Sequence, residues 1–280
     1  MKRIVILILL VVIAGIAGVV VRSSSGSGTV AEIRGLVHHN ASGDVRDEIR
    51  QKFELAPGAR VEVGGINGGV KIETADNTKT AEVYIERTAS SQEALSRRKI
   101  TVEADGNRLR IRGETTEHSF FAKLFGARAS ETVTLKLPRD VSLVAKGVNG
   151  AVAVGEISGA IEITGINGKV NVANAAGSAL LKGINGSVTV GLKSVALNGI
   201  DLSGINGNIE LQLPADLNAD FEAHGMNGRV ISDFPNVIID KTRHGNYSAR
   251  IGSGGADISA KGINGNIRLI PAGRSVSDAE

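Results

Sequence analysis

The chain has 280 residues, of which 36 are glycine, six phenylalanine and two tyrosine, and it contains neither tryptophan nor cysteine. The lack of cysteine excludes disulfides, thiolate metal sites and a cysteine nucleophile, and a net charge of only +3 is unfavourable for nucleic-acid binding. Abundant glycine with few aromatic residues predicts many tight turns around a core of small aliphatic side chains. This composition is typical of repetitive all-β proteins.

The first residues predict export. Lys2 and Arg3 precede an apolar run over residues 4–21, which as a helix would be about 27 Å long, close to the roughly 30 Å hydrocarbon core of a membrane. Residues 1–22 are therefore expected to be a retained membrane anchor, with a signal peptide cleaved after residue 17 as the alternative. In both cases the remaining chain lies outside the cytoplasm. Residues 23–44, which begin with a Ser/Gly run, are predicted to be a flexible linker.

A short motif, Gly-(Ile/Val/Met)-Asn-Gly, recurs seven times after the linker. Its asparagines are Asn67, Asn149, Asn167, Asn185, Asn206, Asn227 and Asn264. From Asn149 onward the copies are 18, 18, 21, 21 and 37 residues apart. The third residue after each asparagine is Val or Ile, and the fifth is apolar except at Ser232. This alternation predicts a half-buried strand after every copy.

The motif also predicts a turn. Glycine enters positive φ freely, and asparagine tolerates the left-handed region better than most residues, so Asn-Gly is expected to turn the chain. Weaker half-units at Gly159, Gly177 and Gly199 place a corner about every nine or ten residues.

Two architectures fit this pattern. The favoured one is a parallel β-solenoid with coils of 18–21 residues, in which the asparagines stack at about 4.8 Å and Ile184 is buried between Ile166 and Ile205. The alternative is an antiparallel meander or sandwich, in which each Asn-Gly closes a two-residue hairpin. Outside the repeats, strands are predicted at 49–55, 60–63, 83–87 and 132–137, a short helix from Ser90 to about Arg98, a hairpin of 99–103 with 108–112, and a disordered tail at 272–280.

An ordered set of motifs resembles a known family. The set comprises Leu137-Pro138-Arg139-Asp140-Val141 before Gly147-Val148-Asn149-Gly150, Leu213-Pro214-Ala215-Asp216 before Gly225-Met226-Asn227-Gly228, Ile231-Ser232-Asp233-Phe234, Ile251-Gly252-Ser253-Gly254-Gly255-Ala256, and Gly262-Ile263-Asn264-Gly265-Asn266-Ile267. Residues 45–271 thereby resemble the bacterial putative-adhesin proteins of unknown function, which are related to the "head GIN domain" group. The resemblance implies a right-handed β-helix-like fold outside the membrane, without catalytic residues.

The sequence offers little for catalysis or metal binding. A carbohydrate-active enzyme would need a pair or cluster of carboxylates. We expect the candidates not to recur at one position of the unit; they are Glu162, Asp201, Glu210, Asp220, Asp233 and Asp240. His38-His39 has no ligand-like spacing to His118, His224 or His244, so no metal or cofactor is predicted. The motif asparagines are interpreted as a structural turn and ladder in preference to a ligand-binding row.

Two further segments are candidate interaction sites. Basic residues concentrate at Arg97, Arg98, Lys99, Arg108, Arg110 and Arg112. The last three share one strand face, which is either solvated or contacts an anionic envelope polymer or lipid headgroups. The second segment contains Phe120, Phe121, Leu124 and Phe125, which fall on one side of a short helical turn. It is either a cap over the β core or an exposed tip that touches the membrane or a partner.

Together these features predict an envelope-anchored, outward-facing, non-enzymatic module that acts in adhesin-like interactions or as a structural element. It would contact the membrane through its N-terminal helix, and an anionic polymer or another envelope protein through the β domain. An envelope-stress sensor or scaffold that binds another membrane protein is the first alternative, and a carbohydrate-active β-helix enzyme the second.

Overall fold

The computed structural model describes residues 34–39, 45–115, 129–193, 199–235, 237–242 and 245–272. This part of the chain consists of strands and one short helix, α1 (Gln92–Ser96), which confirms the all-β class. None of the helical structure within these ranges is long and apolar enough to cross a membrane. The predicted anchor at residues 1–22 lies outside the described residues.

The strands of the described residues form two eleven-stranded sheets. The first contains, in spatial order, β1 (Arg34–His39), β2 (Val45–Glu54), β5 (Thr80–Ala89), β8 (Ala129–Pro138), β4 (Val70–Ala75), β10 (Val152–Ile157), β12 (Val170–Ala175), β14 (Val188–Leu192), β16 (Ile209–Leu213), β22 (Ile267–Pro271) and β18 (Val230–Ser232). The second contains β19 (Ile239–Thr242), β20 (Asn246–Ile251), β17 (Ala219–His224), β21 (Ala256–Lys261), β15 (Ile200–Asn206), β13 (Ala179–Asn185), β11 (Ile161–Ile166), β9 (Ser142–Val148), β3 (Arg60–Gly64), β7 (Arg108–Thr115) and β6 (Arg98–Ala104).

The repeated units stack in parallel. The strands before and after each Asn-Gly belong to different sheets, and each pairs with the equivalent strand of the neighbouring unit. Ile184 pairs with Ile166 on one side and Ile205 on the other, and only 1% of it is exposed. The antiparallel hairpin expected in the alternative architecture is therefore wrong for these units, because the turn moves the chain from one sheet to the other.

The core lies between the two sheets and follows the period-two pattern of the sequence. Alternate residues of the repeat strands are buried, as in β11, where Ile161, Ile163 and Ile166 are all at most 2% exposed. Branched aliphatic side chains suit such positions because they pack well on a pleated surface. The residue before each motif asparagine is also buried, so the corner adds its own apolar row to the core.

The order of the units in space differs from their order in the chain at both ends of the stack. At one end, β3 lies between β9 and β7, and β4 lies between β10 and β8. Asn67 is therefore next to Asn149. At the other end, β21 and β22 lie between β15–β16 and β17–β18. The copy at Asn264 therefore separates those at Asn206 and Asn227.

The N-terminal end of the stack is largely antiparallel. Strands β2, β5 and β8 pair antiparallel, and β6 with β7 forms the predicted hairpin. The Ser91 hydroxyl accepts a hydrogen bond from the Ala94 N–H and caps α1, which ends at Ser96, short of the predicted Arg98. Residues 34–39, which were predicted to belong to the flexible linker, instead form β1 against β2. This pairing satisfies the backbone groups that β2 would otherwise expose along an open edge.

The C-terminal end shows why Ser232 departs from the apolar pattern. Its hydroxyl accepts a hydrogen bond from the Phe234 N–H at 3.2 Å, and β18 ends at this residue after only three positions. A side chain that bonds to its own backbone competes with continuation of the strand. Ala272 was predicted to open the disordered tail, yet its N–H donates to the Leu213 carbonyl at 2.7 Å.

Candidate interaction surface

The seven motif asparagines form one continuous hydrogen-bonded ladder. Each side-chain amide donates to the side-chain oxygen of the neighbouring rung at 2.9 to 3.3 Å, in the order Asn67, Asn149, Asn167, Asn185, Asn206, Asn264 and Asn227. Asn67 ends the series by donating to the Ala129 carbonyl at 2.7 Å. Six of the seven side chains are exposed, and Asn67 is half-buried. The ladder is therefore an ordered row of amides at the protein surface.

The turn beside the ladder depends on the first glycine of the motif. In all seven copies this glycine has a φ between 59° and 67°, whereas Asn77 is the only described non-glycine residue with positive φ. The expectation that the motif asparagine itself uses its tolerance of the left-handed region is thus wrong. The preceding glycine adopts that conformation at lower cost, which leaves the asparagine extended enough to face its equivalents.

The second glycine of the motif is required by contact between neighbouring units. A Cβ on Gly168 would lie 2.5 Å from the carbonyl oxygen of Gly150, and one on Gly186 would lie 2.4 Å from that of Gly168. These carbonyls belong to backbone and cannot move away as a side chain could. The first glycine is therefore required by its φ, and the second by contact with the neighbouring unit and, at Gly68, Gly186, Gly207 and Gly265, by a positive φ as well.

We define the corner edge as the residues from three before to two after each motif asparagine. In the seven copies this surface contains Lys146, Lys169, Lys182, Arg229, Lys261 and His224, but no aspartate, glutamate, phenylalanine or tyrosine. Within the described part of the chain, Lys169, Lys182, Arg229 and Lys261 form no ion pair with a carboxylate. Lys146 differs, because it contacts Glu162 at 2.7 Å. The corner edge is accordingly polar and positively charged.

The predicted basic face at Arg108, Arg110 and Arg112 is balanced by acids. These arginines do share the outer face of β7, but Arg110 Nε donates to Glu62 at 3.0 Å and Arg112 lies 3.8 Å from Glu114. Partial burial would raise the pKa of Glu62, but hydrogen bonds from Arg60 and Arg110 outweigh it and lower that pKa. Much of the positive charge expected on this face is thus balanced by carboxylates of the protein itself.

Several acidic residues share one position of the repeat unit, contrary to the expectation from the sequence. Glu62, Glu162, Asp201 and Glu222 all lie five residues before a motif asparagine. They alternate on the second sheet with residues of other types, and Leu180 lies between Glu162 and Asp201. The expectation that the candidate carboxylates share no unit position is therefore wrong for Glu162 and Asp201. Their register becomes visible only when positions are counted from the asparagine.

A buried ion pair joins the N-terminal end of the stack to the ladder. Glu131 is 1% exposed and accepts two hydrogen bonds from Arg98, at 2.7 and 2.6 Å, and a third from the Asn67 N–H at 3.1 Å. Arg98 also donates to the Gly65 carbonyl at 2.9 Å. Sequence reasoning placed Arg98 in an exposed basic group and missed Glu131. The signal available was a lone acid at an inward position of a strand.

A second buried pair lies under α1. Arg87 donates to Asp47 at 2.9 Å and to the Leu95 carbonyl at 2.8 Å, and it also contacts the Arg98 carbonyl. Both side chains are at most 10% exposed. This pair holds β2, β5 and α1 together next to the small cluster of Val45, Ala89, Ala94 and Leu95.

The other candidate site residues do not form a site within the described part of the chain. Phe120, Phe121, Leu124 and Phe125, and likewise His118 and His244, lie outside the described residues. His38 and His39 belong to β1, and His224 lies 3.4 Å from Glu222 on the second sheet. Within the described ranges, no three histidine, aspartate or glutamate side chains come together as a metal site would require.

Comparison with known proteins gives structural likeness only. No protein-family model matches the chain, and no curated protein sequence matches it. A putative cell adhesion protein from Clostridium sporogenes is 12% identical, over 79% of this chain and 98% of the other, with a TM-score of 0.38. A putative adhesin from Bacteroides fragilis is 14% identical, over 79% and 96%, with a TM-score of 0.37. A putative adhesin from Parabacteroides merdae is 13% identical, over 79% and 95%, with a TM-score of 0.25.

Proposed function

We propose that this chain is an envelope-anchored, outward-facing β-solenoid that acts as a non-enzymatic, adhesin-like interaction module. Residues 1–22 would form the anchor and residues 45–271 a stack of 18–21-residue coils. The observation that carries the proposal is the asparagine ladder, in which one polar group recurs at the surface over seven units.

A repeated surface of this kind suits binding better than catalysis. A reaction centre brings different groups together at one point, with a nucleophile or base oriented by neighbours. Here identical amides are spread along an edge, and Glu62, Glu131 and Asp47 are bound by arginines within the fold. Extended, repetitive surfaces are typical of stacked-repeat proteins that bind large partners.

The location is tested with a C-terminal tag on the full chain in a bacterial host. We expect the tag to be digested by protease added outside the inner membrane, and the chain to sediment with membranes. The reason is the charged start followed by the apolar run over residues 4–21. A protease-protected, soluble pool of the full-length chain would contradict the proposal.

The interaction role is tested by incubating the tagged full chain with isolated cell-wall polymer and, separately, with solubilised membrane proteins. Retention on the polymer is expected for an adhesin-like module. Specific recovery of one membrane protein without retention on polymer would support the scaffold alternative, and retention on neither would refute both.

A further inference from the structure

We propose that the corner edge binds an extended anionic polysaccharide, which lies along the asparagine ladder. This inference rests on the proposed function, because it names the partner class of the same module. It differs in its site from the Arg108–Arg110–Arg112 face expected from the sequence.

The ladder offers ordered groups for sugar hydroxyls. An asparagine amide has two N–H donors and an oxygen with two lone pairs. Within the ladder, an inner rung such as Asn167 uses one donor toward Asn149 and one acceptor position toward Asn185. One donor and one acceptor position remain on each inner rung, and these side chains are exposed.

The ladder is also ordered before any ligand arrives. Each of the five inner amides is already held by both neighbours, so a ligand that bonds to the free positions would not have to immobilise these side chains. Preorganisation of this kind favours binding because less conformational entropy is lost. Seven rungs at the strand spacing of about 4.8 Å give a row about 29 Å long, which is enough for several consecutive sugar residues.

The charges flank the ladder along its length. Lys169, Lys182, Arg229 and Lys261 come from four different units, so they are distributed along the edge. These four have no carboxylate partner within the described residues, and the corner edge contains no acidic residue. A row of positive charges beside a row of hydrogen-bonding amides matches a polymer that carries both hydroxyls and regularly spaced anions.

The predicted arginine face matches such a polymer less well. Arg110 is engaged by Glu62 at 3.0 Å, and Glu103 and Glu114 also lie beside these arginines. A polyanion on this face would have to displace or approach these carboxylates. The corner edge itself contains no carboxylate; the acidic row that includes Glu162 begins two residues outside it, and one edge cation, Lys146, pairs with that row.

Two other classes of anionic partner fit less well than a polysaccharide. The large apolar side chains exposed in the described part are Ile231 and Ile238, and neither belongs to the corner edge, so this edge has no apolar group to insert into a lipid bilayer. The edge also contains no phenylalanine, tyrosine or tryptophan on which unpaired bases could stack. Its amides instead match hydroxyl groups, which sugars provide at every residue.

The test uses the detergent-purified full chain and two fluorescent probes, linear alginate and single-stranded DNA. The edge variant combines Lys169→Gln, Lys182→Gln, Arg229→Gln and Lys261→Gln. The matched control combines Lys79→Gln, Arg108→Gln, Arg112→Gln and Lys136→Gln, which removes the same charge from exposed positions elsewhere. Thermal unfolding of each variant is recorded to verify folding, and retention on isolated cell wall is measured in parallel.

The wild type is expected to bind alginate more tightly than DNA. The edge variant should lose at least about tenfold in affinity because four charge contacts act together, whereas the control should stay within about twofold. Asn167→Ala with Asn185→Ala should also weaken binding while leaving its salt dependence unchanged, since it removes no charge.

Unchanged alginate binding by the edge variant would overturn the assignment to this edge, and equal or tighter binding of DNA would overturn the polysaccharide class. In either case retention of the wild type on cell wall would leave the proposed function standing. Loss of that retention in the wild type would instead refute the proposed function itself.

Discussion

Single positions in the motif are constrained by the neighbouring unit as much as by their own turn. The first glycine needs its left-handed φ, while the second approaches the next unit's carbonyl too closely for a side chain, as Gly168 does at Gly150. The asparagine between them then satisfies its amide on its equivalents above and below. The motif recurs with little variation because three of its four residues make contacts to copies of themselves.

The residue before the asparagine carries the packing. Ile184 is 1% exposed and lies between Ile166 and Ile205, so we expect Ile184→Ala to lower the free energy of unfolding by about 2–5 kcal/mol through the cavity it leaves. Chemical denaturation of the full chain measures the loss. Lys182→Ala, an exposed change on the same strand, is the control and should alter stability by no more than about 0.5 kcal/mol. Equal effects of the two changes would show that the corner row is not part of the core.

Among the elements, the ion pair of Arg98 with Glu131 holds the antiparallel end to the repeats. Glu131→Gln would remove the carboxylate that pairs with the half-buried Arg98, so we expect it to destabilise the protein by about 1.5–3 kcal/mol. Glu82→Gln, which breaks the exposed pair with Lys52, should cost no more than about 1 kcal/mol. Thermal and denaturant unfolding of the two variants are compared. A cost for Glu131→Gln no larger than that for Glu82→Gln would mean that the pair is effectively solvated.

The contact between β3 and β7 should respond to acid through Glu62. Its pKa is lowered in the folded protein, so its stabilising effect is complete above the ordinary glutamate value of about 4.3 and is lost as the pH falls through the lower folded value. Glu62→Gln should therefore be less stable than the wild type at neutral pH, with the difference shrinking in acid. Unfolding temperatures measured from pH 7 to pH 3 test this, with the exposed Glu54→Gln as control. A constant difference across that range would contradict it.

Elements that depend on a local sequence pattern could be predicted from the sequence. Which elements pack next to each other could not. The period-two alternation gave the repeat strands, and the Asp105-Gly106-Asn107 turn gave the β6–β7 hairpin, because both depend on nearby residues. The stacking of Asn67 on Asn149 and the pairing of Arg98 with Glu131 join residues far apart in the chain. Such contacts depend on which unit lies next to which, and periodicity does not contain that information. The corner edge was missed for a related reason, since its charges align only once the units are stacked.

At the scale of the whole molecule, β21 and β22 lie in the interior of the two sheets, between strands that precede them in the chain. We expect a chain ending at residue 255, which lacks β21 and β22, to lose the folded structure of strands β17 to β20. The loss of buried Ile258, Ile263, Ile267 and Leu269 removes a large share of the typical margin of about 5–15 kcal/mol. Hydrogen exchange measured by mass spectrometry should show fast exchange over these strands. A chain ending at residue 272 is the control, and protection equal in both would contradict the expectation.

The last units are stacked in a different order from their order in the chain, and this affects the order in which they can fold. A polypeptide that emerges from its N-terminus would present residues 219–251 before the strands that belong beneath them exist. Phe221 and Tyr247, both buried in the finished fold, would then have only a temporary neighbour until residues 256–271 arrive and pair with strands on both sides. Folding of these units would therefore be completed by the insertion of residues 256–271 between layers that were made earlier. In the finished molecule that segment is enclosed, so unravelling from this end of the stack would start at the edge strands β18 and β19 and not at β21 and β22.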